Sequence, residues 1–423
     1  MKKVAVVCSN KRERENLKRS KHAESCKFIL VGTEDGAWRP GFSITLFLKE
    51  QLKRLKDVQP DAIIGTDDYP GCPVSSYLAG ELGLVSPSLK SILLSQHKYF
   101  SRQIQKKVLP KQTPDFNLVD LKKKYSAREL PQLPFFIKPV KYYLSHLAER
   151  VNSYRQFEQY LKAARKKIPK FTRHMEDLVE FAGNGLENKF NWQQAIIEDL
   201  LSGKQATYEG FVYDGNAQTF GIVDSIRYPN RFSFKRFQYP SKMPEHVRIK
   251  IEKMAEKAMK ALGFNNSMFN IEFFYDETKD EVKIIEINPR MATQFANLYQ
   301  AVDGVNSYDV QIDLALGKEP SFTRGNGKFK TAASFAERTF ADKFVISVPS
   351  RNQADPVKKK FHGSSVEIIV KPKKKLSQTI QDGQSFRYMI VNLAGKNEKD
   401  LFRKYDEVLK MLPFRFKDLL TNP

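Results

Sequence analysis

The first 95 residues alternate short apolar runs with amphipathic stretches. "KVAVVCS", "FILVGTED" and "PDAIIGTDD" are rich in β-branched residues and bounded by turn formers, so each reads as a buried strand. Between them, residues 42–57 and 73–83 read as helices. Strands taken in turn with helices build a parallel sheet covered by helices. No GxGxxG follows the first strand; "CSNKRERENLKRS" stands there instead, which argues against a dinucleotide site. The pattern predicts a Rossmann-like domain over residues 1–95 without a cofactor of its own.

Further along, "SLKSILLSQHKYFSRQIQKKVLP" reads as one helix, with Pro110 and Pro114 marking its exit. The stretch from Pro131 to Lys170 gives a strand ("PFFIKP"), a loop, and a helix from about Ser153. Residues 169–192 are polar and contain Gly and Asn, and read as a surface insertion. "WQQAIIEDLLSG" is a strand ending in a turn, and residues 207–228 form a hairpin whose turn is Asp214-Gly215-Asn216. "PEHVRIKIEKMAEKAMKALGF" is an amphipathic helix closed by Gly263. After a helix near 306–316, "GKFKTAASFAERTF" begins a final α+β portion.

"NIEFFYDETKDEVKIIEINPR", residues 270–290, is a hairpin with acids inside its apolar runs. With the loop centred on Lys279, Glu272 falls opposite Glu286 and Asn270 opposite Asn288. Side chains alternate between faces, so these four share one face. Ile271, Phe273, Ile285 and Ile287 take the other, which is the core face. Two carboxylates directly opposite each other repel unless a cation lies between them. Mg²⁺ favours such oxygen ligands, completed by substrate phosphates. A solvated polar face is the competing reading, and a register slip of one residue would remove the pairing.

Composition narrows the class. The chain has 423 residues, 41% hydrophobic and 28% charged, as expected of a globular protein of two or three domains. Lys and Arg number 71 against 48 acids, a net charge of +23 that attracts anions such as nucleoside triphosphates without choosing among them. The basic runs at 122–124, 357–360 and 371–375 read as solvated faces, which argues against nucleic acid as the partner. Cys8, Cys26 and Cys72 form no CxxC and no zinc pattern, which fits a reducing compartment. The short apolar run after Met1 is too brief for a secretory signal and no run is long enough to span a membrane, so a cytoplasmic location is expected.

In order along the chain, "KYFSRQ", "FFIKPV", "IIEDLLSG", "YEGFV", "NIEFF" and "IIEINPR" resemble the ATP-grasp superfamily, in its biotin-carboxylase-like and carboxylate–amine ligase branch. The closing segment "SFRYMIVNLAGKNEKDLFRKYDEVLKML" is similar to the C-terminal part of biotin-carboxylase-like members. The resemblance implies an α/β and α+β chain of ATP-grasp architecture. Its parts would be an N-terminal parallel-sheet domain (1–95), a linker helix and connection (96–134), a two-lobed ATP-binding core (135–325), and a C-terminal α+β portion (326–423) completing the core. Within the core, the lid lobe would run to about 200 and the larger lobe from about 201.

The resemblance further implies roles. Lys98 and Lys138 would bind phosphates, Glu198, Asp199, Leu200 and Leu201 the adenine ring, and Glu209 would lie near the nucleotide. Glu272, Glu286 and Asn288 would ligate Mg²⁺, with Mn²⁺ as a substitute, and Arg290 would act where charge develops on the phosphoryl group. Arg338 would serve the reaction centre. Arg227, Arg231, Lys235 and Arg236, interleaved with aromatics, would face the acceptor substrate, although single-stranded nucleic acid is a rival occupant of such a pattern. The implied activity is activation of a carboxylate as an acyl phosphate, followed by attack of an amine. Small carboxylates and amines would be the partners, and a homodimer is common in the family.

Two departures stand out. The stretch after Lys138, "KPVKYYLSHLAERVNS", has no glycine where many members carry a glycine-rich phosphate loop, so the work falls to side chains such as Lys141, Ser145 and His146 or the clamp is weaker. Gln294 stands where biotin carboxylase has a glutamate for bicarbonate chemistry, which argues against biotin carboxylation. A nucleotide-binding protein without catalysis and a small-molecule kinase are the alternative functions on this fold.

Overall fold

The computed structural model describes residues 1–423 except 38, 40, 143, 144, 184–189, 230, 231, 380, 382–384 and 420–423. Two compact units form, neither continuous in sequence. The first is Met1–Phe220, Pro244–Thr293 and Ser307–Ser321; the second is Gly221–Met243, Gln294–Asn306 and Phe322–Pro423.

The first unit opens with the parallel sheet that the sequence predicts. Lys2–Val7 lies between Cys26–Val31 and Ala62–Ile64, parallel to both. Val4, Ala5, Val6 and Val7 are all buried, as the central strand of a covered sheet requires. The loop after Ala62–Ile64 runs tightly over the start of the helix Gly71–Glu81. A Cβ on Gly65 would lie 2.2 Å from the Gly71 carbonyl oxygen, and one on Gly71 would lie 1.7 Å from Asp67 Oδ1. Only glycine allows so close an approach, and that approach sets the direction of Asp67 and Asp68.

The helix expected over 88–109 is two helices, Leu89–Gln96 and Lys98–Val108. His97 breaks it: its backbone is extended (φ −84°, ψ 99°) and its ring is fully buried against Phe100, Phe190 and Trp192. Burial of that imidazole among rings pushes its pKa down to about 3, so it is neutral. The break makes Lys98 the first residue of a helix, and its N–H donates to Val140 O at 2.9 Å.

A four-stranded antiparallel sheet follows, in the order Phe116–Asp120, Gln194–Glu198, Phe135–Pro139, Glu149–Val151. It packs on the helix Tyr154–Ala182, capped by Ser153 through the Gln156 N–H. That helix corrects the reading of 169–192 as a surface insertion. Phe171, Met175, Leu178 and Val179 are buried, and the last three belong to the core under the parallel sheet, as does Trp192. Pro169 sits inside the helix, so the composition hid an apolar stripe at helical spacing. Residues 184–189 lie outside the described ones.

The 207–228 hairpin is formed by Lys204–Tyr213 and Asn216–Arg227, with Asp214 and Gly215 both at positive φ as a type I′ turn demands. Ser267–Asp276 pairs with Lys204–Tyr213 on one side and with Glu281–Asn288 on the other. The helix Glu245–Leu262 ends at Gly263 in the left-handed conformation.

In the second unit, the end of Asn216–Arg227 pairs with Phe234–Tyr239, followed by Thr331–Thr339, Phe386–Gly395 and Ser365–Ile368, all antiparallel. The helices Arg351–Lys360 and Glu398–Met411 cover it through Val357, Leu401 and Val408. The helix Ala296–Val302, which the sequence reading lacks, buries Tyr299 against Gly221, where a Cβ would lie 2.5 Å from the ring. Among the described residues no helix is long and apolar enough to cross a membrane.

Candidate active site

Three strands of the first unit build one polar face by alternation. Asn270 lies opposite Asn288 and also opposite Glu209; Glu272 lies opposite Glu286 and Thr207. Directly opposed residues project to the same side, so two polar rungs run across the sheet: Glu209–Asn270–Asn288 and Thr207–Glu272–Glu286. The register agrees with the sequence at these rungs but differs nearer the turn. Phe273 pairs with Ile284, Tyr275 with Val282 and Asp276 with Glu281, and a bulge falls between Glu272 and Phe273 in the register. The extra residue is Ile285. The core-facing residue of that strand is therefore Ile284, fully buried, and not Ile285 as predicted.

The bulge does local work. Ile285 O leaves the ladder and accepts from Arg102 Nη2 at 2.7 Å and from Lys138 Nζ at 3.3 Å. Both cations also hold Glu198: Arg102 Nε at 2.7 Å and Lys138 Nζ at 2.8 Å. Burial alone would raise the Glu198 carboxyl, yet Arg102 and Lys138 hold it down to about 2. Both Glu198 oxygens are thus engaged by cations. Asp199 and Leu200 follow on an exposed connection and Leu201 is half-buried; Asp199 Oδ2 accepts from the Asp115 N–H at 3.3 Å.

Lys98 Nζ meets Glu286 Oε1 at 2.9 Å. Against the cost of burial, Lys98 and then Lys138 hold Glu286 below the usual carboxylate range. Glu272 Oε2 accepts from Gln205 Nε2 at 3.1 Å, and Asn288 Nδ2 donates to Asn270 Oδ1 at 3.0 Å, which leaves the Asn288 oxygen for a cation. Asn270 in turn donates to Arg290 O at 2.9 Å, and the fully buried Glu209 accepts from the Ala292 N–H at 2.6 Å. These two bonds fix the "NPRMA" turn that presents Arg290.

A second ion cluster adjoins the first. Asp68 pairs with Lys141, which is 2% exposed, and Arg290 Nε lies 3.6 Å from Asp68 Oδ1. Burial would raise Asp68, but Lys141, Arg290 and Lys98 hold it at about 2. Burial pushes the Lys141 ammonium below its ordinary value. Sequence reasoning missed Arg102 and Asp68. Arg102 is one helical turn beyond Lys98 on the same face, and Asp68 follows a parallel strand at its carboxyl end, where open α/β sheets bind ligands; those two signals were available.

Among the described residues no three or more His, Cys, Asp or Glu gather as a metal cage. Two opposed carboxylates and an amide oxygen instead suit a hard divalent cation that draws its remaining oxygens from phosphate and water. The surrounding Lys98, Lys138, Lys141 and Arg290 suit a polyanion.

The other predicted residues belong to the second unit. Arg338 Nη1 donates to Ser385 Oγ at 2.6 Å, and Ser385 bonds Ser233 at 2.9 Å. The Arg227 guanidinium lies over the Phe232 and Phe234 rings at 5.8 and 5.5 Å, Lys235 over Tyr228 at 6.0 Å, and Arg236 over Phe402 at 5.0 Å. Gln294 donates to Ser334 Oγ at 3.0 Å. Arg231 lies outside the described residues. The basic and aromatic residues of this segment stack on one another, so the pattern that suggested a base-stacking surface is at least partly internal packing.

Residues 131–298 match the family model of the ATP-grasp domain. No curated protein sequence matches the chain. Solved structures do. An L-amino acid ligase from Bacillus licheniformis is 16% identical over 99% of both chains, with a TM-score of 0.74. The biotin carboxylase domain of Hydrogenobacter thermophilus 2-oxoglutarate carboxylase, a complex with MgADP, ADP and bicarbonate, is 16% identical, with a TM-score of 0.65 over 98% of this chain and 90% of that one. N5-carboxyaminoimidazole ribonucleotide synthetase from Thermotoga maritima is 14% identical, with a TM-score of 0.63 over 99% and 100%. With the ordered motifs, residues 131–298 are similar to the ATP-grasp domain, and the chain as a whole has the fold of these solved structures.

Proposed function

We propose that the protein is an ATP- and Mg²⁺-dependent ligase that activates a carboxylate as an acyl phosphate and joins it to an amine. The observation that carries this reading is the convergence of Lys98, Lys138, Lys141 and Arg290 around the opposed Glu272 and Glu286. The similar structures named above include a ligase of amino acids and a complex with MgADP, which supports the same class.

Glu272, Glu286 and Asn288 would hold the magnesium, which when bound neutralises charge on the phosphates. Lys98 and Lys138 offset the negative charge of the nucleotide, and Arg290 meets the charge that develops as the γ-phosphoryl moves to the substrate carboxylate. In that step the carboxylate oxygen forms the new P–O bond and the ADP oxygen leaves. The amine then attacks the acyl carbon, phosphate departs with the C–O bond electrons, and the ammonium proton passes to solvent. Carboxylates are poor electrophiles, and phosphorylation supplies a good leaving group. The Gln294 side chain carries no base, which speaks against bicarbonate as the carboxylate.

The test is phosphate release from ATP and Mg²⁺ over a panel of amino acids and small carboxylates, first alone and then with amines. Release that requires both substrates is the expected result. Tight ATP binding with no turnover on any pair would favour the non-catalytic reading, which the glycine-free loop supports.

A further inference from the structure

We propose that Lys141, held in waiting by Asp68, grips the nucleotide phosphates in place of a glycine-rich loop, and that Asp68 keeps a phosphate's position until the nucleotide arrives. This rests on the ligase reading above and deepens it. Residues 138–153 contain no glycine, so a cradle of backbone N–H groups that depends on glycine conformations is not on offer there. What the segment supplies, beyond Lys138, is a second buried lysine, Lys141.

An ammonium withdrawn from water needs an anionic partner. The partner of Lys141 is Asp68, from the loop after the third parallel strand. The same carboxylate faces Arg290 at 3.6 Å, and Lys98 acts on both Asp68 and Lys141. One carboxylate therefore sits among three cations, the surroundings that a phosphate oxygen would choose. Asp68 is held from behind: Gln96 Nε2 donates to its backbone oxygen at 2.6 Å and lies 3.4 Å from Oδ1. Gly65 and Gly71 keep its loop close against the helix. A polyphosphate offers more charge and more acceptors than one carboxylate, so Lys141 can turn to it by side-chain rotation with the backbone in place. A plain structural ion pair, tying the loop to the lysine strand, is what the proposal must be distinguished from.

The experiment is calorimetric binding of AMP, ADP and ATP, each with Mg²⁺, to the full chain and three variants. Lys141→Met is expected to weaken ADP and ATP about ten- to hundredfold, the range for a charge-assisted hydrogen bond. AMP affinity should stay within about twofold. Lys141→Arg should restore most of the loss. The double variant Asp68→Asn/Lys141→Met leaves neither partner as an unpaired buried charge, so it is expected to fold with a near-normal melting temperature and keep the loss for ADP and ATP. A double variant that binds ADP and ATP like the wild type overturns the proposal, as does an equal loss for AMP. If the wild type itself binds AMP and ATP alike, it is the ligase reading that falls, and this inference with it.

Discussion

Glu198 shows how much of the candidate site is devoted to holding cations in place. It is 4% exposed and pairs with Arg102 and Lys138, themselves almost fully buried. Replacing it by alanine would strand two buried positive charges, so Glu198→Ala is expected to cost about 3–5 kcal/mol in urea unfolding, the range for breaking a buried pair. A change below about 1 kcal/mol, the range of an exposed pair, would show that these cations are solvated and the cluster is no scaffold. Glu272 and Glu286 differ in kind. They share a rung because alternation and a short loop dictate it, and that pairing was legible in residues 270–290 alone. Asp68 and Lys141 were harder to read, because the chain separates them by 73 residues and only folding joins them.

The strand Glu281–Asn288 and the helix Tyr154–Ala182 show where local patterns mislead. A hairpin reading that assumes regular pairing reached the right partners for Glu272 and Asn270, but it could not place the bulge at Ile285, which depends on what receives the freed carbonyl. Only the buried Arg102 and Lys138 explain it. In the helix, Pro169 and the polar residues beyond it concealed Met175 and Leu178, both fully buried in the core beneath the parallel sheet. Leu178→Ala is therefore expected to destabilise by about 2–5 kcal/mol, as large-to-small changes in a core do. A surface insertion would give a change near zero, so chemical denaturation of this one variant separates the two readings. The N-terminal alternation, by contrast, was plain from the sequence because each strand is short, apolar and flanked by turns.

Acid should loosen the molecule through its ion clusters. Glu198 and Asp68 have folded pKa values of about 2, below their ordinary 4.5 and 3.8. The unfolded chain thus binds more protons between these limits. Their stabilisation is complete above the ordinary carboxylate range and is lost as pH falls through about 2. Glu13 and Asp67, raised by burial, act in the opposite sense: the folded chain binds more protons, so their contribution declines as pH rises through their raised values. Melting temperature should therefore drop steeply between about pH 4 and 2. A profile that is flat there would contradict the pairing.

The acidic hairpin rung as a cation site is the claim on which the functional account stands, and crystals grown with ADP and Mn²⁺ test it directly by anomalous scattering. The account predicts a manganese peak bonded to Glu272, Glu286 and the Asn288 oxygen, with the diphosphate on Lys98 and Lys138. Nucleotide bound elsewhere, or bound here with no manganese at the two carboxylates, would contradict it.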